Sequence, residues 1–497
     1  HRSRLQRSFP DADRLPAATV TSQLGWQDGG VGFLWGQTLL ASDGSRHTAD
    51  LTSLSPADWP PHAYAFQGDD AGDRKLARGF RAEGTLDAWR ECIVASVLPH
   101  PVVTAALFVA LVPPLMELFG IPNFVLDLAC TTSHGKTTAL RAAASVWGCP
   151  DERDAGGSVL HPWNATRVAL ERLCALSSGL PLFVDDTKTA KKEEDIENTV
   201  YDLVSGQTRS RGSPMGIRPA KSFRSVLLST GENPITSFTR SGGTRTRVLG
   251  FVDPPFGGTT ESTLADVSRI NRDLCRNFGH AGPLVVDLLL AHRDEWPVWR
   301  AAHQARCDRW AADLPPGEGS RLADYLAAIA SAADLAIPLL GLPPRCADAA
   351  LEAALDVAKR QSATAAPNVR ALDVVWEWAL AHEATFLGRH RVVTSKGGDD
   401  TPIEPASGWS GYWPTADDWT AIHWLPERLR QILDEAGFSP DSILDAWRRK
   451  HLIHADADHR RYTTKLPRDL TSLSGGIRVR VVSLLRSAIP DSDVAKQ

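Results

Sequence analysis

Gly135-Lys136-Thr137-Thr138 is the set of residues whose types and spacing point most directly to chemistry. An apolar run (Phe124, Val125, Leu126, Leu128) precedes it, followed by a turn of small polar residues, and an alanine-rich stretch follows it. Strand, loop and helix in that order build a phosphate-binding loop. Backbone N–H groups from Thr131, Thr132, Ser133, His134 and Gly135 would wrap the phosphates of ATP, together with the start of the helix at Thr137 and Thr138. Lys136 would reach the β- and γ-phosphates, and the Thr137 hydroxyl would ligate Mg²⁺. The full motif begins with glycine, and that position holds Cys130, which fits only if its backbone angle is ordinary. A chance Gly-Lys-Thr in a loop is the competing reading, and the pieces downstream argue against it.

Those pieces need elements to present them. Leu180-Pro181-Leu182-Phe183-Val184 is an apolar strand that ends in Asp185-Asp186. A carboxylate at a strand's C-terminal end can hold the water shell of Mg²⁺, and its neighbour can polarise an attacking water. Asp186 could instead cap the helix that follows. Ser225–Ser229 is a further buried strand, and Thr230 or Asn233 at its end could orient the lytic water. Arg245 and Arg247 precede the strand Val248–Asp253, where an arginine could stabilise transition-state charge in a neighbouring subunit. Between the acidic and polar strands, Gly206–Arg224 carries Arg209, Arg211, Arg218, Lys221 and Arg224 without an acid, broken by Gly, Pro and Ser. It suits an exposed hairpin touching nucleic-acid phosphates, with a solvated loop as the alternative.

The 497 residues allow two to four domains, and 43% hydrophobic with 23% charged residues is ordinary for a globular chain. A net charge of −5 excludes a protein that is basic throughout, so any nucleic-acid site is a local stripe. The seven cysteines are scattered without zinc-ligand or CxxC spacing, which argues against a disulfide framework or structural metal and for a reduced, cytoplasmic setting. No stretch of about 18 apolar residues is evident, because Pro113-Pro114 interrupts Val102–Met116, so no membrane partner is expected. No signal peptide is expected either, and a chain that starts at His1 is expected to be part of a longer one.

In chain order, the pattern predicts a tail over 1–18, a β-rich module over 19–78 and a helical connector over 79–119, with Thr85 as a helix cap and one buried helix across Pro101–Phe119. An α/β core over 120–285, a helical lid and stalk over 286–390 and a linker over 391–412 follow. Residues 413–490 read as a winged-helix-like domain of two helices and a hairpin. Arg448, Arg449, Lys450, Arg460, Arg461 and Lys465 crowd its second helix and wing. Among 16 tryptophans, Trp409, Trp413, Trp419 and Trp424 cluster before that wing, with core packing favoured over base stacking.

The order of lysine loop, acidic strand, basic hairpin, polar strand end and arginine is similar to that of AAA+ ATPases of the superfamily 3 helicase kind. More closely, the chain resembles the family called domain of unknown function 927, whose members are prokaryotic, phage and mobile-element ATPases often described as helicase- or primase-associated. The resemblance rests on Leu24–Trp26, Thr132–Gly148, Leu203–Gly212, Leu227–Glu232 and Asn277–Gly282, and it covers about residues 19–290. It implies an AAA+-like P-loop core in which Lys136 and Thr137 contact phosphate and Mg²⁺. Asp185 would be the Mg²⁺ carboxylate and Asp186 the base, with Thr230 or Asn233 sensing and Arg245 or Arg247 acting in trans. The family has Gly where Cys130 stands and Asp-Glu where Asp185-Asp186 stands, departures that leave reduced hydrolysis open. The function expected is an ATP-driven helicase or translocase on single-stranded or forked DNA. It would work as a hexameric ring, prokaryotic or phage-encoded, in replication of a mobile element or phage. The alternative is a slowly hydrolysing, nucleotide-gated assembly or DNA-binding protein, of the kind that would serve in anti-phage defence.

Overall fold

The computed structural model describes residues 18–27, 30–48, 63–66, 71–208, 211–213, 216–218, 221–238, 245–315, 318–365, 367–389, 393–396, 399–402, 405–415, 419–454, 463–465 and 480–488. The chain divides into two compact units, His1–Ser362 and Ala363–Gln497.

A five-stranded sheet organises the first unit. Its strands are β1 (Phe124–Ala129), β2 (Leu160–Pro162), β3 (Leu182–Asp185), β4 (Val226–Gly231) and β5 (Val248–Phe251), in the spatial order β5-β1-β4-β3-β2. Every pairing is parallel: Val226 faces Phe124, Leu227 faces Leu182, Val248 faces Val125 and Leu160 faces Phe183. Parallel strands are covered on both faces, so they read as unbroken apolar runs, and all six residues of β1 are buried. Consecutive strands β1 and β2 are separated by β4 and β3, which opens a crevice at the carboxyl ends beside β1.

Three buried tryptophans lock the helix after β1, Lys136–Ala144, to its surroundings. Trp147 Nε1 donates to Ala110 O (2.6 Å), Trp35 Nε1 to Trp147 O (2.8 Å) and Trp89 Nε1 to Ser145 Oγ (2.9 Å). Trp35 belongs to a four-stranded antiparallel sheet of Gly25–Trp26, Gly32–Trp35, Thr38–Ala41 and Arg46–Thr48, the β-rich module read from the sequence. Its central hairpin turns at Gly36, where φ is +58° and a Cβ would lie 2.1 Å from Phe80 O, so only glycine fits.

The expected single helix over Pro101–Phe119 is corrected to two, Pro101–Val109 and Pro113–Phe119, bent by 60°. Pro113 and Pro114 lack the N–H groups that would continue the first helix, whereas the first turn of a new one has no use for them. Thr85 caps Leu86–Cys92, accepting from Ala88 N at 3.2 Å, as expected. Contrary to the expectation from the sequence, Gly319–Leu340 is, among the described residues, one helix long and apolar enough to cross a membrane; 67% of its apolar window is buried inside the fold.

In the second unit a five-stranded sheet runs in the order Phe386–Leu387, Gly411–Tyr412, Ala421–Trp424, Arg480–Leu485, Thr464–Lys465. Helices Pro367–Ala381, Pro426–Glu435 and Pro440–Arg449 cover a core that includes Val375, Trp413, Trp424 and Trp447. The apolar face of Pro367–Ala381 joins this core, so the helical region expected over 286–390 is split between the two units. The stretch expected to be a linker, 391–412, contains the antiparallel pair Val393–Lys396 and Asp399–Pro402 and the strand Gly411–Tyr412. Trp413 and Trp424 are buried, which is the packing reading of the tryptophan cluster. Arg460 and Arg461 lie outside the described residues.

One core group has a measurable pH signature. Asp127 stands fully buried in β1; its Oδ2 accepts from Ile235 N at 2.7 Å, and among the described residues its Oδ1 has no partner. Burial pushes its carboxyl up to about 7, against the smaller opposing effect of the Ile235 N–H. Between about pH 4 and 7 the unfolded chain has released this proton and the folded chain has not. Stability therefore falls as pH rises through that window, by at most about 1.4 kcal/mol per pH unit. Asp127→Asn removes this dependence while keeping an acceptor for Ile235 N. Urea midpoints of variant and wild type should diverge in the variant's favour from pH 5 to 8, and parallel curves would contradict the assignment.

Candidate functional site

At the carboxyl edge of the sheet the chain leaves β1 at Cys130 and turns through Thr131–Gly135 into the helix Lys136–Ala144. Two residues of the turn are left-handed, Ser133 (φ 67°) and Gly135 (φ 80°), and Cys130 is not. The cysteine therefore fits its position because the backbone there needs no glycine. Gly135 is required twice over, since a Cβ there would lie 2.7 Å from the Phe256 ring. His134 Nδ1 lies 3.2 Å from Thr131 Oγ1 and 3.1 Å from Thr131 O, which closes the turn on itself. The Lys136 ammonium folds back onto the same turn, donating to Cys130 O and, at 2.8 Å, to Thr131 O.

Thr137, one residue into the helix, points at the end of β3. Its Oγ1 donates to Asp185 at 3.0 and 3.1 Å from the two carboxylate oxygens. Thr230, at the end of β4, donates to Asp185 Oδ1 at 2.5 Å and accepts from Asp186 N at 2.9 Å. Thr137, Asp185 and Thr230 thus meet at one point from three separate elements. Burial pushes the Asp185 carboxyl up, while the two threonine hydroxyls act to lower it and the charges of Asp186 and Glu152 add to the rise. A carboxylate and a hydroxyl in contact are hard oxygen donors. Together they suit a cation such as Mg²⁺ that keeps most of its shell for water and phosphate oxygens. Among the described residues no group of three or more His, Cys, Asp or Glu could hold a metal by itself.

Other expected residues are placed differently. Asp186 is left-handed (φ 60°), and its side chain accepts from Lys188 N at 3.2 Å, capping the short turn Thr187–Thr189. This is the capping alternative read from the sequence. Thr138 is buried and turned toward the helix Glu261–Asp273, where its Oγ1 accepts from Asn271 Nδ2 at 3.1 Å; Asn271 Oδ1 in turn accepts from Arg141 Nη1 at 2.9 Å. Asn233 is exposed beyond β4.

The group that sequence reasoning missed is Glu232. Its Oε1 accepts from Thr132 Oγ1 at 2.7 Å, and both oxygens lie 3.2 Å from Lys188 Nζ, so it bridges the loop after β1 and the turn after β3. The Thr132 hydroxyl, and then Lys188, hold this carboxyl below the usual range. Its signal was its place directly after the β4 strand, which only the sheet order turns into proximity to the loop.

Arg247 occupies the opposite edge. Its carbonyl accepts from Val125 N at 2.9 Å, at the amino end of β1, and Arg245 and Thr246 precede it. A strand of this length separates them from the loop by about 15–20 Å, so neither arginine completes the site of its own chain. The hairpin leaves the same edge: Arg211–Ser213 pairs antiparallel with Gly216–Arg218, Arg211 facing Arg218 along the backbone. Arg209 lies outside the described residues. Lys221 Nζ donates to Ser22 Oγ at 2.9 Å and Arg224 Nη1 to Ile121 O at 3.2 Å, so both are tied to the body at the hairpin's base.

A solved structure described as "SCCmec type IV Cch - active helicase" aligns with this chain at a TM-score of 0.69. The match covers 97% of this chain and 82% of that one at 19% identity, which is a likeness of fold. No curated protein matches the sequence. The resemblance drawn from the motifs has a direct counterpart in a family match that takes in the loop, Asp185 and both strands of the hairpin and stops before β4. Over residues 1–222 the chain matches the family described as Domain of unknown function (DUF927).

Proposed function

We propose that this chain is an ATP-driven motor on single-stranded or forked DNA, a helicase or translocase working as a ring of identical subunits. The observation that carries the reading is the convergence of Thr137, Asp185 and Thr230 beside the Lys136 loop, at the carboxyl edge of a parallel sheet ordered β5-β1-β4-β3-β2. Lys136 leaves the carbonyls of Cys130 and Thr131 for the β- and γ-phosphates, and the backbone N–H groups of Thr131–Gly135 take the remaining phosphate oxygens. Thr137 and Asp185 would hold Mg²⁺, which offsets phosphate charge when bound. Thr230 fixes the Asp185 carboxylate through its hydroxyl and the following peptide through its oxygen. Glu232, ionised and next to Thr132, is the carboxylate best placed to orient a water toward the terminal phosphate. The fold of the neighbouring structure, called an active helicase, supports the same class.

Arg247 and the basic hairpin share the edge away from the loop. This suits a ring in which one subunit's arginine serves the next subunit's nucleotide and the hairpins face the DNA. In the second unit, the helices Pro426–Glu435 and Pro440–Arg449 with the strands Thr464–Lys465 and Arg480–Leu485 support a winged-helix-like reading. Arg448 and Arg449 there already face Asp445 at 2.5 and 3.1 Å, so its helix end is a weaker DNA candidate than the hairpin. One observation favours the slower, nucleotide-gated scaffold: Asp186 caps a turn.

Steady-state ATP turnover across protein concentration, with and without single-stranded DNA, separates the two. The motor predicts several-fold DNA stimulation that grows as subunits assemble and disappears in Arg247→Ala. Turnover that is slow and indifferent to both DNA and concentration would overturn the motor and leave the scaffold.

A further inference from the structure

A cavity of about 800 Å³ lies at the amino edge of the sheet, on the side from which the hairpin emerges, with Trp26, Arg224, Arg293, Trp296 and Arg300 among its walls. Gln207 and Ser222, which bridge to each other at the hairpin's base, also line it. It is therefore continuous with the basic hairpin and remote from the Lys136 loop.

Its chemistry is two-sided. Arg293 lies over the Trp296 ring, 5.5 Å from its centroid, and the Trp26 ring meets Trp296 edge-on at 6.0 Å and 69°, giving an angled wall of guanidinium and indole. Arg293 Nη2 donates to Gly30 O at 2.8 Å, while its buried Nε has no partner among the described residues. On the other side, Arg224 and Arg300 are exposed. Each is anchored at one nitrogen, Arg224 Nη1 on Ile121 O (3.2 Å) and Arg300 Nε on Leu118 O (2.8 Å), which leaves the rest of each fork for a ligand. Glu117 is the one carboxylate among the cavity's lining residues, against three guanidinium groups. Planar forks select phosphate, and indole or guanidinium faces accept any base.

We infer that this cavity is a single-stranded DNA subsite, in which Arg224 and Arg300 hold backbone phosphates while a base stacks on the Trp296–Arg293 wall. The inference rests on the DNA-motor reading and adds a place where the strand is gripped beside the hairpin. It also gives the β-rich module, through Trp26, and the helix Trp296–Asp313 a share in the DNA path.

The test is fluorescence anisotropy of a labelled oligothymidylate on the full chain across a salt series, for wild type, Arg300→Gln, Arg300→Lys and Trp296→Leu. Arg300→Gln should weaken binding several-fold and lower the slope of log affinity against log salt by about 0.7, the value of one single-strand phosphate contact. Arg300→Lys should restore that slope. Trp296→Leu should weaken binding about tenfold with the slope unchanged. Unaltered thermal melting and DNA-free ATP turnover check that each variant is folded, and if Trp296→Leu misfolds the Arg300 pair still decides. Wild-type binding by Arg300→Gln, or a salt slope that Arg300→Lys does not restore, overturns the subsite while the motor reading stands. Failure of wild type itself to bind the oligonucleotide overturns both.

Discussion

Lys136→Ala should abolish nucleotide turnover, lowering kcat for ATP by at least about a hundredfold, the scale on which a single charge-stabilising donor acts. The ammonium is the one cation that the loop itself supplies, and its present partners are carbonyl oxygens of Cys130 and Thr131 rather than a carboxylate. A phosphate can therefore draw it away without breaking an ion pair. Alanine leaves those carbonyls at a partly open surface where water satisfies them, so the urea midpoint should stay within about 0.5 kcal/mol of wild type. Isothermal titration with ATP, alongside turnover, reads the effect. Near-normal turnover with an unchanged fold would remove the loop from the chemistry.

Asp185→Asn should be the second large effect, with a different signature. The amide can still accept from Thr137 and Thr230, so the geometry at the ends of β3 and β4 persists. It cannot supply the negative charge that Mg²⁺ needs, and turnover should fall by about a hundredfold or more while nucleotide still binds. Burial and the nearby charges of Asp186 and Glu152 oppose ionisation of Asp185, so removing its charge should hold or raise thermal stability in the absence of nucleotide. A variant both inactive and strongly destabilised would mean that Asp185 is chiefly a structural acceptor.

Much of this site was legible in the sequence because its parts are local. An apolar run meeting small polar residues and Gly-Lys-Thr specifies strand, loop and helix, and an apolar run ending in Asp-Asp specifies the second strand. Even the tolerance of Cys130 followed from a backbone condition that could be stated beforehand. What the sequence leaves open depends on which strand lies beside which. Glu232 stands at the Thr132 hydroxyl because β4 lies between β1 and β3, and no spacing in the chain encodes that neighbourhood. Thr230 rather than Asn233 meets Asp185 for the same reason. Asp186 reads in the sequence as a second carboxylate or a cap, and only the left-handed backbone at that position shows the cap it makes on Lys188 N. The break at Pro113 was visible as a pair of prolines, yet the apolar pattern on both sides hid the 60° bend. The allegiance of Pro367–Ala381 to the second unit is decided by tryptophans about 40 residues later, beyond the reach of periodicity.

The central claim, that binding and hydrolysis at the Lys136 loop drive movement on DNA, is tested most directly by strand displacement from a labelled fork. Wild type should release the displaced strand with ATP and Mg²⁺ and not with a non-hydrolysable analogue, and Asp185→Asn should bind the fork without releasing it. Release by wild type with the analogue, or by Asp185→Asn with ATP, would contradict the account.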